Sequence, residues 1–346
     1  MRRILLGLWM ACCLTGLAWA EGGTTFPFPS YSSDTGLAGG LKQFQSDVLA
    51  TGNRFESLLF LSLNQQLVAE FILGQDPPLG TFFRSEFESK NYAYYYYGLG
   101  NQNSVTTRGR YQLLQFLLAH EFGERRPDGL RRSLAIEALY IPVMGHDSSA
   151  LFSSALPGIS GGLGVGLGVQ VAMDRRDRVE NPLEGEYVGV SGKLVLGSFD
   201  YVQFGFDYRR YLPLRSDLQA AFRGYLETQA GTVPFYQWLA LGGDRRLRGY
   251  TEGRFKDVAA LGFGIELRQD LPFVNAEWGF AYPVQAAYFV DAGRVAADVM
   301  KLTFAGYHAS QGLGLRILVR PDAVVRIDWG FGEDEQAIYF TFGQAV

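Results

Sequence analysis

From Gly161 to Asp174 the sequence alternates without a break. Leu163, Val165, Leu167, Val169, Val171 and Met173 are apolar, and Gly162, Gly164, Gly166, Gly168, Gln170, Ala172 and Asp174 lie between them. A period of two puts the two sets on opposite faces of a strand. Ordinary strands run about 5–6 residues, whereas a tilted strand crossing a bilayer takes about 9–11. The same split recurs. Val202, Phe204, Phe206 and Tyr208 alternate with Gln203, Gly205, Asp207 and Arg209. Leu261, Phe263, Ile265 and Leu267 alternate with Gly262, Gly264, Glu266 and Arg268. Leu313, Leu315 and Ile317 alternate with Gly314 and Arg316, and Val325, Ile327 and Trp329 with Arg326 and Asp328. A soluble sandwich would bury the apolar face against a second sheet. A membrane barrel turns it to lipid and keeps the small and charged face for the lumen.

The N-terminus places such a barrel outside the cytoplasm. Met1-Arg2-Arg3 is a basic head, Ile4 to Leu17 is mostly apolar, and Ala18-Trp19-Ala20 is a small-x-small cleavage site. Residues 1–20 therefore read as a secretory signal peptide, too short to span a membrane. Cys12 and Cys13, the two cysteines, lie inside it, so the mature chain from Glu21 has no disulfide or thiolate metal site. No uncharged apolar run after the signal reaches the ~20 residues of a spanning helix. A formal charge of −4 and the lack of a long basic run exclude a nucleic-acid binder.

Residues 21–34, with two prolines among Ser, Thr and Gly, read as a short flexible periplasmic tail. Residues 35–346 read as the all-β barrel domain. About sixteen antiparallel strands are predicted, at 35–44, 54–63, 66–74, 80–89, 105–119, 130–142, 161–174, 185–197, 199–211, 217–228, 234–240, 258–270, 280–291, 308–320, 322–331 and 336–343. On this assignment long and short connections do not alternate regularly. The run Tyr94–Tyr97 fits either an interfacial girdle or a packed loop. At the far end Ile338, Phe340 and Phe342 alternate with Ala337, Tyr339 and Thr341, and Val346 stands where a barrel's terminal assembly signal usually carries an aromatic residue.

One stretch breaks the alternation. Leu241-Gly242-Gly243-Asp244-Arg245-Arg246-Leu247-Arg248-Gly249-Tyr250 is basic and glycine-interrupted, and reads as an extracellular loop folded into the lumen. Glu266 and Asp291 lie on the inner faces of the strands that follow. A carboxylate is tolerated facing a wet lumen and costly facing lipid. A guanidinium offers a planar fork of donors that suits carboxylates. Arg248 between the two acids would lock loop to wall; the alternative is ordinary solvated charges. The histidines His120, His146 and His308 show no metal-ligand spacing, and no cofactor motif is present. His308-Ala309-Ser310-Gln311-Gly312 resembles the His-x-Ser-Asn-Gly of outer-membrane phospholipases, with Gln311 replacing Asn and no third residue evident, so an enzyme is not expected. The glycines at 161–168 open no helix and are no phosphate loop; they make an inner face small enough for something beside it.

Five segments in order resemble one family. They are Leu241-Gly242-Gly243 with Leu247-Arg248-Gly249-Tyr250, Glu266-Leu267-Arg268, Phe289-Val290-Asp291-Ala292-Gly293, Tyr339-Phe340-Thr341-Phe342-Gly343, and Asp174-Arg175-Arg176-Asp177 with Pro182 and Gly185. Tyr97-Gly98-Leu99-Gly100-Asn101 is a further candidate. Together they resemble the bacterial surface-antigen barrel of BamA- and TamA-type outer-membrane assembly proteins over residues 160–346. The resemblance implies a sixteen-stranded barrel in the Gram-negative outer membrane, with Arg248, Gly249 and Tyr250 against the lumen wall at Glu266 and Asp291. It also implies a weak seam between first and last strands, through which client strands or lipid pass. The periplasmic POTRA repeats of that family do not fit in residues 21–34. The expected function is therefore assistance in inserting or translocating outer-membrane protein or lipid. A periplasmic or lipoprotein partner would receive the clients. The alternative is a plugged pore or structural barrel.

Overall fold

The computed structural model describes residues 23–32, 36–48, 51–64, 66–179, 181–272, 282–303, 305–320 and 323–346. The signal peptide, Cys12 and Cys13 lie outside the described residues. The chain forms a closed antiparallel barrel of sixteen strands. In order these are β1 (Gly23–Ser32), β2 (Gly36–Val48), β3 (Asn53–Ser62), β4 (Leu67–Gln75), β5 (Gly80–Tyr96) and β6 (Gly109–Arg125). β7 (Leu130–Ile141) continues past Pro142 as β8 (Val143–His146), and the two count as one wall strand. β9 (Gly162–Asp174), β10 (Gly185–Gly197), β11 (Tyr201–Arg215) and β12 (Leu218–Gly231) follow. A small ribbon, β13 (Leu239–Leu241) with β14 (Phe255–Asp257), stands apart from the wall. The wall resumes with β15 (Ala259–Asp270), β16 (Val284–Ala296), β17 (His308–Arg320), β18 (Ala323–Phe331) and β19 (Gln336–Phe342), which returns to β1.

The alternation determines which way each residue points. On β9, Leu163, Val165, Leu167, Val169 and Val171 face outward and are 47–56% exposed. Leaving such side chains in water forfeits about 25 cal/mol per Å², so a continuous outward belt of this kind is stable in lipid. Inward, Gly162 and Gly166 leave room for neighbours: a Cβ would lie 2.5 Å from the Phe199 ring at Gly162 and 2.6 Å from Glu137 at Gly166. Glu137 is itself bonded to Lys193 at 3.0 Å. Wall side chains thus fill the space that the glycines leave.

The strand count matches the sequence reading, but two assignments change. Residues 23–32, expected as tail, form β1 and are in register with β2 from Gly23↔Gln45 to Ser32↔Gly36. Pro27 and Pro29 made this segment look irregular. They share one parity, so their missing N–H groups lie on one edge. The unbroken register with β2 puts that edge toward β19. Conversely, residues 234–240, expected as a wall strand, belong to the loop between β12 and β15. Their apolar residues pack inside the barrel, where Phe235 lies 4.9 Å from Tyr111 and 5.6 Å from Tyr96 between ring centroids. Exchanging one strand for the other shifts the parity of every strand between them. The connections at 97–108, 147–161, 232–258 and 297–307 then fall at one end of the barrel.

The Tyr94–Tyr97 run is a packed lumen surface more than a girdle. Tyr94 stacks on Tyr111 at 5.7 Å, Tyr96 is buried against Phe235, and Tyr97 is buried beside Arg254. Tyr95 faces the other way, under Arg108.

Candidate functional site

The connection 232–258 turns inward because its own sequence supplies an apolar anchor. Leu241, Leu247, Tyr250 and Phe255 are buried together with Tyr225, Leu239, Ala260 and Val295 of ribbon and wall. One helical turn, Gly243–Arg246, reverses the chain between the two ribbon strands. Burial of this cluster carries Arg248 to the wall.

Arg248 is fully buried. Its Nε and Nη2 donate to Asp291 Oδ2 and Oδ1 at 2.8 and 2.9 Å, a bidentate pair. Its Nη1 donates to Glu266 Oε2 at 2.6 Å and to Asp328 Oδ2 at 3.3 Å, and its backbone N–H to Asp291 at 3.1 Å. The guanidinium lies 3.6 Å from the centre of the Phe289 ring, which adds a cation–π contact. Burial disfavours the cation, but Asp291 and Glu266 outweigh it and hold the Arg248 pKa well above its usual value.

The acids are shared. Glu266 also accepts from Arg268 Nε at 2.8 Å and pairs with Arg316 Nη2 at 2.8 Å. Asp328 accepts from Arg316 Nη1 at 2.6 Å, and Arg326 bonds Asp244 at 2.5 Å. Four guanidiniums (Arg248, Arg268, Arg316, Arg326) thus meet four carboxylates (Glu266, Asp291, Asp328, Asp244), so the cluster is close to neutral. Arg316 and Arg326 stand directly opposite in the β17–β18 register. Like charges there would repel without the acids between them.

Gly249 and Tyr250 have separate roles. Gly249 has φ +100°, and a Cβ on it would lie 2.8–2.9 Å from backbone atoms of residues 330–332. A Cβ on Gly330 would in turn lie 2.6 Å from Gly249 N. The loop therefore lies directly on the backbone of β18. Tyr250 is fully buried; its carbonyl accepts from Tyr339 Oη of β19 at 2.8 Å, and its own hydroxyl accepts from Glu333 N at 2.9 Å. Further on, Thr251 and Arg254 bond Glu335, and Arg254 bonds Asp334, at the β18–β19 turn.

The Omp85 superfamily domain matches residues 160–346, a stretch that contains this whole contact and more than half of the chain. The chain belongs to the Omp85 superfamily. It is thus an outer-membrane β-barrel. No curated protein matches it. Among solved structures it is similar to BamA from Haemophilus ducreyi lacking POTRA domains 1–3, at 17% identity and TM-score 0.67 over 93% of this chain and 70% of that one. It is also similar to CdiB from Acinetobacter baumannii (14%, TM-score 0.59) and CdiB from Escherichia coli (12%, TM-score 0.61). Each covers 93% of this chain, which spans 59% and 62% of their lengths. At these identities the likeness is one of fold.

The strand ends of this Omp85 barrel depart from the sequence reading. Ile338 and Phe340 lie on β19, and Phe342, its last residue, is in register with Val325. Val346 does not extend the strand. The chain leaves the wall at Gly343, and Ala345 and Val346 are buried against Tyr211 and Ala221 inside the barrel. Val346 O accepts from Arg268 Nη2 at 3.3 Å. The phospholipase-like pair is likewise not assembled. His308 Nε2 contacts Asn101 O at 2.6 Å, its ring stacks on Phe255 at 3.8 Å, and no hydrogen bond joins it to Ser310 among the described residues.

Sequence reasoning did not assign Asp328, Arg316, Arg268, Arg326 or the Glu335–Arg254 contact to the site. The signal was present in part: opposite charges recur on the inner faces of β15, β17 and β18. Their convergence depends on barrel curvature, which spacing along the chain does not encode.

Proposed function

We propose that this Omp85 barrel assists the insertion or translocation of outer-membrane protein or lipid by opening between β1 and β19. The supporting observation is the seam itself. Among the described residues the β1–β19 register covers only Tyr31↔Phe340 and Ser32↔Tyr339, with Ser30 Oγ donating to Phe340 O at 3.1 Å, whereas β18 and β19 are in register from Val325↔Phe342 to Phe331↔Gln336. Each backbone group left unpaired in hydrocarbon costs several kcal/mol. Such an edge favours pairing with an incoming strand or contact with lipid headgroups. In this reading the Arg248 lock holds β15 to β19 together as one block, so that movement is confined to the seam. Partners would be outer-membrane lipid, client outer-membrane proteins, and a periplasmic or lipoprotein component delivering them.

The test is site-specific photocrosslinking from Tyr31 and Phe340 in cells, beside depletion of the protein. Capture of client strands or lipid, with falling levels of other outer-membrane proteins or lost lipid asymmetry, supports the role. No capture, together with an unaltered outer membrane on depletion, refutes it.

A second reading is a plugged pore without insertase activity. It is favoured by the inward loop alone and would be supported by conductance that rises when that loop is removed.

A further inference from the structure

Between the inward loop and the wall at β5 and β6 lies a cavity of about 140 Å³. It is lined on the wall side by Tyr92, Tyr94 and Tyr111, and on the loop side by Trp238 and Lys256. The three tyrosines form a continuous row. Tyr92 and Tyr94 lie 5.3 Å apart at 20°, and Tyr94 and Tyr111 5.7 Å apart at 26°. Such a surface suits a flat ring with an apolar face.

The polar groups narrow the choice. Lys256 is 7% exposed, and among the described residues its ammonium makes one hydrogen bond, to Tyr111 Oη at 3.3 Å. No carboxylate lies within ion-pair distance of it among the described residues. The other lining lysine, Lys90, is held by Glu88. A buried ammonium without a contacting counter-charge is costly; Glu252 acts on Lys256 only from beyond ion-pair distance, and an anion entering the cavity would offset the remaining cost. Gln115, which donates to Glu88 at 2.8 Å, and Glu252 also line the cavity. Both can accept hydrogen bonds from hydroxyls.

A ligand must therefore present a flat apolar face, hydroxyl donors and one negative group within a small volume. An acyl chain would leave the amides and the ammonium unsatisfied. A bare inorganic anion would not use the tyrosine row, and a nucleotide is too large. We propose that this cavity binds a saccharide unit carrying a negative charge, with its ring on Tyr92 and Tyr94 and its carboxylate or phosphate on Lys256. The site does not depend on the seam and holds for an insertase or a pore alike.

Titration of the full chain in detergent micelles, followed by Trp238 fluorescence with Trp238→Phe as the blank, tests this. The probes are galacturonate, glucose 6-phosphate, galactose, glucose, acetate and inorganic phosphate. Saturable quenching by one or both charged sugars is expected. The neutral sugars and the simple anions should bind roughly tenfold or more weakly, as for loss of one hydrogen bond to a charged group. Binding of galacturonate but not glucose 6-phosphate identifies a carboxylate ligand; the reverse identifies a phosphate. Lys256→Gln should bring the charged sugar down to the neutral level, and Tyr92→Leu should weaken both. Retained heat-modifiable gel mobility shows that each variant folds. Binding of galacturonate unchanged by Lys256→Gln, equal binding of acetate, or no saturable signal from any sugar would overturn the proposal.

Discussion

Arg248 and Lys256 enter the lumen on the same loop and meet opposite environments. Arg248 finds Asp291 and Glu266; Lys256 finds a tyrosine hydroxyl. Removing Arg248 leaves Glu266 with Arg268 and Arg316, but it deprives Asp291 of its guanidinium, and Asp291 is 3% exposed. Its remaining bond, from the residue 248 N–H, is not enough for a buried carboxylate. Arg248→Ala should therefore cost about 3–5 kcal/mol, the usual penalty for breaking a buried pair. It should be seen as a lower urea midpoint and earlier loss of the compact gel band. Adding Asp291→Asn should recover part of the loss; no recovery would mean that Asp291 is not the stranded group. Lys256 behaves in the opposite sense. Burial, opposed by Glu252, pushes its pKa down from 10.5 to about 8. The folded protein holds this proton less tightly than the unfolded chain. Charging Lys256 thus costs stability below pH 8, up to about 3 kcal/mol at ~1.4 kcal/mol per unit, and the cost fades from pH 8 to 10.5. Lys256→Met should raise the unfolding temperature at pH 7, with the advantage vanishing by pH 10.5. A pH-independent difference would refute this. At this scale the sequence exposed Arg248, Glu266 and Asp291 because charge on an apolar-alternating strand stands out. Asp328 and Arg316 carry the same mark, but only the curvature of the barrel brings them to Arg248.

Among the elements, the long strands were legible and the two misassigned segments were not, for opposite reasons. Residues 234–240 carry strand-like apolar residues because the loop has its own core, with Phe235 and Leu241 fully buried. Residues 23–32 lack strand character because their prolines sit on the seam edge, where no donor is needed. This predicts what the prolines do. Pro27→Thr combined with Pro29→Thr restores two N–H groups on the edge facing β19. It should lengthen the seam, raise the unfolding temperature and slow any activity that needs the seam open. Unchanged stability together with unchanged activity would show that the seam is limited by the departure of the chain at Gly343 instead. The loop–wall contact has its own sensitive point. Gly249→Ala adds a Cβ against the backbone of β18 at a positive φ, so the loop must lift. Its effect should approach that of Arg248→Ala in the same urea series, although no charge is altered; near-native stability would show that the loop does not bear on β18.

For the molecule as a whole, the question is where a path could run. The connection 97–108 leaves β5 and reaches β16 and β17, halfway round a ring of sixteen strands, and so crosses the long-loop end along a diameter. Asn101 fixes it there: its side chain donates to Gly306 O and accepts from Val295 N at 3.0 Å, and its carbonyl meets His308. Gly100 N donates to Lys256 O at 2.8 Å, tying this strap to the inward loop beneath it. An axial route would have to displace both layers, whereas a lateral route displaces only the short β1–β19 pairing. This asymmetry favours the seam over the lumen as the working path. In planar bilayers the intact barrel should show no steady conductance. Deleting residues 243–256 should remove the Arg248 contacts and the strap's hold on Lys256 together, and open a conducting state. Asn101→Ala alone should leave the inward loop seated and the barrel closed. Steady conductance of the intact protein, or an equally large opening on Asn101→Ala, would place the path along the axis and make the plugged pore the better description.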